Sequence, residues 1–216
     1  MLCDELIEPN RGICTACEPD LPRLKFEICQ RCGREKEECM CSNFRYYYEG
    51  IYAPFYYEGK LAKSIRNFKF NANIQNAHFF ADEIASYLKK QIAVEEIDLI
   101  TCVPLSKKSM KARGYNQSAL LAKELAQSLD LIFSDKIILK IYETPAQHTL
   151  SVSHRRGNLA GVFELGGKAD IKGKTVLLCD DIATTGTTIN ECAKMLLLGG
   201  AHKVYCATVA VTKRRR

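Results

Sequence analysis

The sequence predicts an α/β protein, a mostly parallel sheet with flanking helices, preceded by a small cysteine-rich module. Two observations carry this. Short apolar runs alternate with stretches of about 10 to 15 residues at helical spacing, the pattern of parallel strands joined by crossover helices. Seven of the 11 cysteines fall before position 42, where hydrophobic periodicity is weak. At 216 residues, 47% hydrophobic and 26% charged, the chain can build one full core plus an appendage. The expected division is a cysteine-rich module over 1–45 and an α/β domain over 46–216.

The first 45 residues hold too few apolar groups at regular spacing to fold unaided, so a metal is expected to supply what the core lacks. YYYEGIYAPFYYEG (46–59) shows near-alternation with Gly50 and Gly59 as turn points and reads as a hairpin. IRNFKF (65–70) reads as an amphipathic helix packing its aromatics inward. Phe80, Ile84, Tyr87 and Leu88 mark one helix face, and Leu121, Leu125 and Leu129 another. DLITCV (98–103), KIILKIY (136–142) and 162–165 read as strands. The strand 175–179 is followed by a helix from about Thr188 to Leu198, ended by Gly199 and Gly200, and by a last strand, KVYCATVAV. No apolar run approaches the roughly 18 residues of a membrane span, and the N-terminus lacks a basic region followed by an apolar stretch, so a cytoplasmic protein without membrane insertion is expected.

Paired cysteines in a reducing compartment point to metal rather than disulfides. The candidates are Cys3, Cys14 and Cys17, Cys29 and Cys32, and Cys39 and Cys41. Thiolates two or three residues apart reach one ion, and two such elements complete a tetrahedral structural zinc site. Two groupings are open: Cys29, Cys32, Cys39 and Cys41 in one ribbon, with Cys14 and Cys17 then needing partners of which Cys3 supplies only one, or Cys14, Cys17, Cys29 and Cys32 in a single site with the rest spare. Cys102, Cys179, Cys192 and Cys206 lie within strand or helix patterns and read as small core residues. Charge is uneven: residues 1–50 hold 7 basic and 10 acidic groups and the remainder 24 and 15, a surplus suited to anionic ligands.

VLLCDDIATTGTT (176–188) delivers a buried strand to Asp180 and Asp181 at or just past its C-terminal end, where open α/β sheets bind ligands. Ionised carboxylates there accept from a sugar diol or, through water, hold magnesium. Ala183, Thr184, Thr185, Gly186, Thr187 and Thr188 follow. A helix N-terminus, a glycine permitting close approach and several hydroxyls together suit a phosphate.

This stretch resembles the 5-phosphoribosyl 1-pyrophosphate (PRPP) signature of type I phosphoribosyltransferases. The resemblance implies that Asp180 and Asp181 hold the ribose hydroxyls and 184–188 the 5′-phosphate. VPLSKKSMKARGYNQ (103–117), HRRGNLAGVF (154–163) and the cysteine-rich start extend the likeness over nearly the whole chain to the ComF family of competence-associated, phosphoribosyltransferase-like proteins. By that resemblance Pro104, Leu105, Ser106 and Lys107 form the pyrophosphate loop, Lys107 and Arg113 neutralise departing charge, and 147–158 is a closing loop containing Arg155 and Arg156. Zinc in the cysteine module and magnesium with PRPP are the implied cofactors. Two functions follow as expectations: phosphoribosyl transfer to a nitrogenous acceptor with release of pyrophosphate, or a non-catalytic DNA-handling factor that binds single-stranded DNA alongside competence proteins and keeps the pocket as a sensor.

Overall fold

The computed structural model describes residues 13–25, 27–39, 41, 45–71, 74–142, 161–167 and 170–213. Within them the main sheet has six strands, all parallel: β1 (Gly50–Tyr52), β2 (Phe55–Tyr56), β3 (Leu99–Cys102), β4 (Ile132–Phe133), β7 (Thr175–Ala183) and β8 (Lys203–Val211). The order is β1-β8-β7-β3-β4, with β2 also on β8. A separate antiparallel ribbon pairs β5 (Ile138–Lys140) with β6 (Phe163–Leu165).

The central strands carry apolar residues in succession because both faces of the sheet are covered. Alternate residues of β7 and β8 point to opposite sides. Leu177, Cys179, Ala207 and Val209 join the core beneath α1 (Gly59–Asn71), α2 (Ile74–Gln91) and α4 (Gln117–Leu129). Val176, Leu178, Val204 and Cys206 join the core beneath α5 (Thr187–Leu198). The predicted helix faces are the buried ones: Phe68, Phe80, Ile84, Leu88, Leu121 and Leu125 are sealed from solvent, while Tyr87 and Leu129 are partly buried against the same core. Cys102, Cys179, Cys192 and Cys206 are buried, as expected of core residues.

The expected hairpin over 46–59 does not form. β1 and β2 run in the same direction along one edge of β8, with Gly50 opposite Tyr205 and Phe55 opposite Ala210. They amount to one edge strand broken at Ala53 and Pro54, and proline, lacking an N–H, suits an edge or a break. Gly59 opens α1 instead of turning a hairpin, and its φ of +53° is left-handed.

The cysteine-rich segment covers that edge. The amides of Ile51, Leu24 and Tyr56 pair with Gln30 O, Pro54 O and Pro22 O, at 2.8, 3.0 and 2.7 Å. An edge strand left open exposes unpaired backbone groups, so this segment supplies the missing partners. Gly33, at φ +69°, permits the approach: a Cβ there would stand 2.7 Å from Ile51 O.

Candidate functional site

β7 changes character at Asp180. Up to Cys179 it is paired on both sides; β3 ends at Cys102, opposite Cys179, and β7 continues to Ala183 against β8 alone. Beyond Cys179 its residues alternate between buried and half-exposed. Asp180 and Asp181 therefore lie within the strand, where the sheet stops covering it on one side, rather than past its end. Asp181 is only 5% exposed.

Both carboxylates are held in place. Asp180 Oδ1 accepts from Ser118 Oγ at 2.9 Å and from the Asp181 amide at 2.9 Å. Asp181 Oδ1 accepts from the Ile182 amide at 2.8 Å, and its Oδ2 from Gln117 Nε2 at 3.3 Å. Gln117 Oε1 in turn accepts from Arg113 Nη1 at 3.0 Å. A guanidinium thus reaches the acid pair through one amide, and Gln117 and Ser118 fix the carboxylates' orientation from the first turn of α4.

Each residue of the Arg-Gly-Tyr-Asn-Gln run has a structural task. Arg113 ends α3 (Lys107–Arg113), and Gly114, at φ +80°, supplies the left-handed turn after it. The Tyr115 hydroxyl donates to Phe68 O, tying the run to α1. The Asn116 side chain caps α4 by accepting from the Ser118 amide at 3.0 Å and donates to Val103 O at 3.1 Å. Gln117 reaches Asp181.

After Ala183 the chain turns through Thr184, Thr185 and Gly186, and Gly186 sits at the N-cap of α5 with φ +72°. The hydroxyls of Thr185 and Thr187 share a hydrogen bond of 2.9 Å. The helix starts at Thr187, one residue before the expected start. This places the first-turn amides, Gly186 and the threonine hydroxyls at the same sheet edge as the acid pair, an arrangement that attracts anions. Asn190, buried in the second turn, accepts from the Tyr47 amide at 2.8 Å and anchors α5 to the segment before β1.

Pro104, Leu105 and Ser106 form the turn after β3. Ser106 is buried and caps α3, its Oγ accepting from the Ser109 amide at 3.2 Å. Lys107 opens α3 and is exposed. The expected closing loop over 147–158, with Arg155 and Arg156, lies outside the described residues.

A second site lies in the cysteine-rich segment. The Sγ atoms of Cys29, Cys32, Cys39 and Cys41 all lie within 4.8 Å of one another. The Cys29–Cys41, Cys32–Cys39 and Cys29–Cys39 separations are 3.7, 3.8 and 3.5 Å. Four thiolates about 2.3 Å from a central ion at tetrahedral angles stand about 3.8 Å apart, so these sulfurs fit a zinc-sized centre. The knuckle is closed by backbone bonds: the Gly33 amide donates to Cys29 O at 2.8 Å and the Cys29 amide to Arg34 O at 2.7 Å. Burial pushes the Cys29 thiol up and the Cys41 thiol up to about 12, a cost that a divalent cation reverses by binding the thiolates.

Of the two groupings open from the sequence, the one gathered among the described residues is Cys29, Cys32, Cys39 and Cys41. Cys14 and Cys17 shape a separate turn, the Cys17 amide donating to Cys14 O at 3.1 Å, and Cys17 is buried in the core that includes Ile13 and Leu21. Cys3 lies outside the described residues.

The residues that sequence reasoning did not single out are Gln117, Ser118, Asn190, Tyr48 and Arg34. All five are buried, and four of them carry side-chain polar groups of the kind that is normally exposed. Gln117 was given no role although it ends the Arg-Gly-Tyr-Asn-Gln run that carries the resemblance; for the other four, a polar residue in an otherwise apolar or turn context was the only signal.

Comparison with known proteins matches residues 115–216 to the phosphoribosyl transferase domain. Competence protein F of Haemophilus influenzae is 29% identical over 208 residues, covering 90% of this chain and 88% of that protein. DNA utilization protein YhgH of Escherichia coli O157:H7 is 29% identical over 213 residues, covering 90% and 89%. Competence protein ComFC of Bacillus subtilis is 23% identical over 215 residues, covering 90% and 82%. With a parallel sheet of this kind and a four-cysteine knuckle before it, the chain is similar over 90% of its length to competence protein F and ComFC and has the type I phosphoribosyltransferase fold.

Proposed function

We propose that the protein binds PRPP with magnesium at the C-terminal edge of the sheet and transfers its phosphoribosyl group to a nitrogenous acceptor, in the context of DNA uptake. The observation that carries this reading is the hydrogen-bonded pair of half-buried Asp180 and buried Asp181 running directly into the Gly186 turn and the N-terminus of α5. Asp180 and Asp181 accept from the ribose diol. Residues 183–188 surround the 5′-phosphate, and Pro104, Leu105, Ser106 and Lys107 face the pyrophosphate. The bond between C1 of the ribose and the pyrophosphate oxygen breaks with its electron pair leaving on pyrophosphate. The acceptor nitrogen forms the new bond and gives its proton to solvent. Positioning and charge neutralisation by Lys107 and Arg113 dominate the rate. Magnesium supplies further neutralisation of the pyrophosphate charge.

In this reading 1–45 is a zinc-binding module and 46–216 the phosphoribosyltransferase-like domain, and the protein works in the cytoplasm. Among the described residues no helix is long and apolar enough to cross a membrane. Incubation with PRPP, magnesium and a panel of nitrogenous bases is expected to release pyrophosphate with at least one base and not without it. Absence of release with every base, while PRPP still binds, favours the second reading.

That second reading is a DNA-handling factor with a sensory pocket. It is supported by cation–aromatic contacts near the knuckle: Arg31 lies over Tyr46 at 5.9 Å, and Arg45 and Lys194 lie over Tyr47 at 5.2 and 5.6 Å. Aromatic rings beside cations suit stacked bases and phosphates. Single-stranded DNA affinity is expected to fall steeply with salt in this reading, and a flat or absent response removes it.

A further inference from the structure

Arg34 follows the second cysteine of the knuckle by two residues, yet its side chain leaves the cysteine-rich segment. It is 3% exposed. Its Nε donates to Thr212 O at 2.6 Å, just past the end of β8, and its Nη2 donates to the carbonyl of Thr184 and, at 3.3 Å, to Thr212 Oγ1. Its Nη1 donates back to Cys32 O at 3.4 Å. One buried guanidinium therefore holds the knuckle, the end of β8 and the first residue of the turn before α5. A second contact runs alongside it. The Tyr48 hydroxyl donates to Arg31 O in the knuckle at 2.9 Å and stands 3.4 Å from where a Cβ of Gly186 would be.

We propose that Arg34 is the positioning residue of the 184–188 turn and makes its geometry depend on metal occupancy of the four-cysteine knuckle. This rests on the reading above, in which that turn binds the 5′-phosphate. The backbone of Arg34 is set by the knuckle, through the bond from the Cys29 amide to Arg34 O. The four sulfurs hold one another only weakly without a central ion, so metal loss frees the segment that places the guanidinium. The carbonyls of Thr184 and Thr212 then lose a charged donor in a site that water does not fill readily. A lysine cannot replace it, because a single ammonium lacks the planar fork that spans the ends of β7 and β8.

The test is amide exchange, read by mass spectrometry, on the full chain with zinc bound and after chelator stripping and dialysis, for wild type and Arg34→Gln. PRPP with magnesium is titrated into the same four samples. Stripping is expected to speed exchange over 184–188 about tenfold in wild type and to weaken PRPP about tenfold, the scale of one charge-assisted hydrogen bond. Arg34→Gln is expected to show both changes with zinc bound, and stripping adds little more. Exchange over Leu99–Cys102 in β3 serves as the control that the sheet stays folded. Stripped wild type that keeps both its loop protection and its PRPP affinity overturns the proposal, and this arm stands even if Arg34→Gln fails to fold. Loop exchange that responds to metal while PRPP binds no sample upholds the positioning role and removes the phosphate assignment. PRPP binding that ignores both metal and Arg34, with unchanged loop exchange, does the reverse.

Discussion

The knuckle at 29–41, whose four sulfurs could hold a metal ion, and the sheet edge at 180–188, proposed above as the PRPP site, are assembled in opposite ways. The knuckle takes its four sulfurs from 13 consecutive residues, and its geometry is closed by backbone bonds within that stretch. The sheet edge takes carboxylates from β7, their orienting partners from α4 about 60 residues earlier, and a guanidinium from the knuckle 150 residues earlier. A local site tolerates almost any scaffold, whereas a site made of distant pieces exists only when the whole sheet is in register. The consequence is that each fails differently when perturbed.

The largest expected effect separates the clustered cysteines from the core ones. Cys32→Ser should abolish zinc binding, from about one ion per chain to near none, and lower the melting temperature by at least about 5 °C, since metal binding is coupled to folding. Cys192→Ser, on the buried face of α5, should leave the metal content unchanged and cost about 1–2 kcal/mol for a buried hydroxyl. Metal analysis beside thermal melts distinguishes the two. Equal zinc in both variants contradicts the assignment of the knuckle.

A smaller effect tests the distant half of the sheet edge. Gln117→Leu keeps the size of the side chain but removes the donor to Asp181 Oδ2 and the link to Arg113. It should weaken PRPP about fivefold, the loss of a hydrogen bond worth about 1 kcal/mol, with zinc content untouched. Unchanged affinity would mean that Asp181 does not need to be oriented.

The smallest effect is one of pH. Burial pushes the Cys102 thiol up to about 12, and Cys179 and Cys206 are raised well above the ordinary value for the same reason. A raised folded-state value means that these thiols contribute stability fully below the unfolded value near 9 and lose it as pH climbs toward 12. Thermal melts of the zinc-loaded protein should be level up to about pH 9 and fall above it. A fall beginning well below that range would point to other groups.

What the sequence made legible follows the same division. The helix faces, the strands β3, β7 and β8, and the clustering of the cysteines could be read because each is specified by neighbours in the chain, while the choice of Cys29, Cys32, Cys39 and Cys41 over the other grouping could not. The stretch 176–188 could be read for the same reason. The hairpin expectation failed because alternation does not say which strand a segment pairs with, and β8, at the far end of the chain, supplied the partner for both β1 and β2. Ser118 and Arg34 were silent, and Gln117 was legible only as the end of a motif, because their roles lie in atoms brought near by the fold, and a lone buried polar residue names no partner.

The central claim, that Asp180, Asp181 and the 184–188 turn hold a phosphorylated ribose, is tested most directly by calorimetric titration of PRPP with magnesium into wild type and into Asp180→Ala/Asp181→Ala. Saturable heat from wild type and none from the double variant is the result predicted here. Equal binding by both, with the variant folded and zinc-loaded, would contradict it.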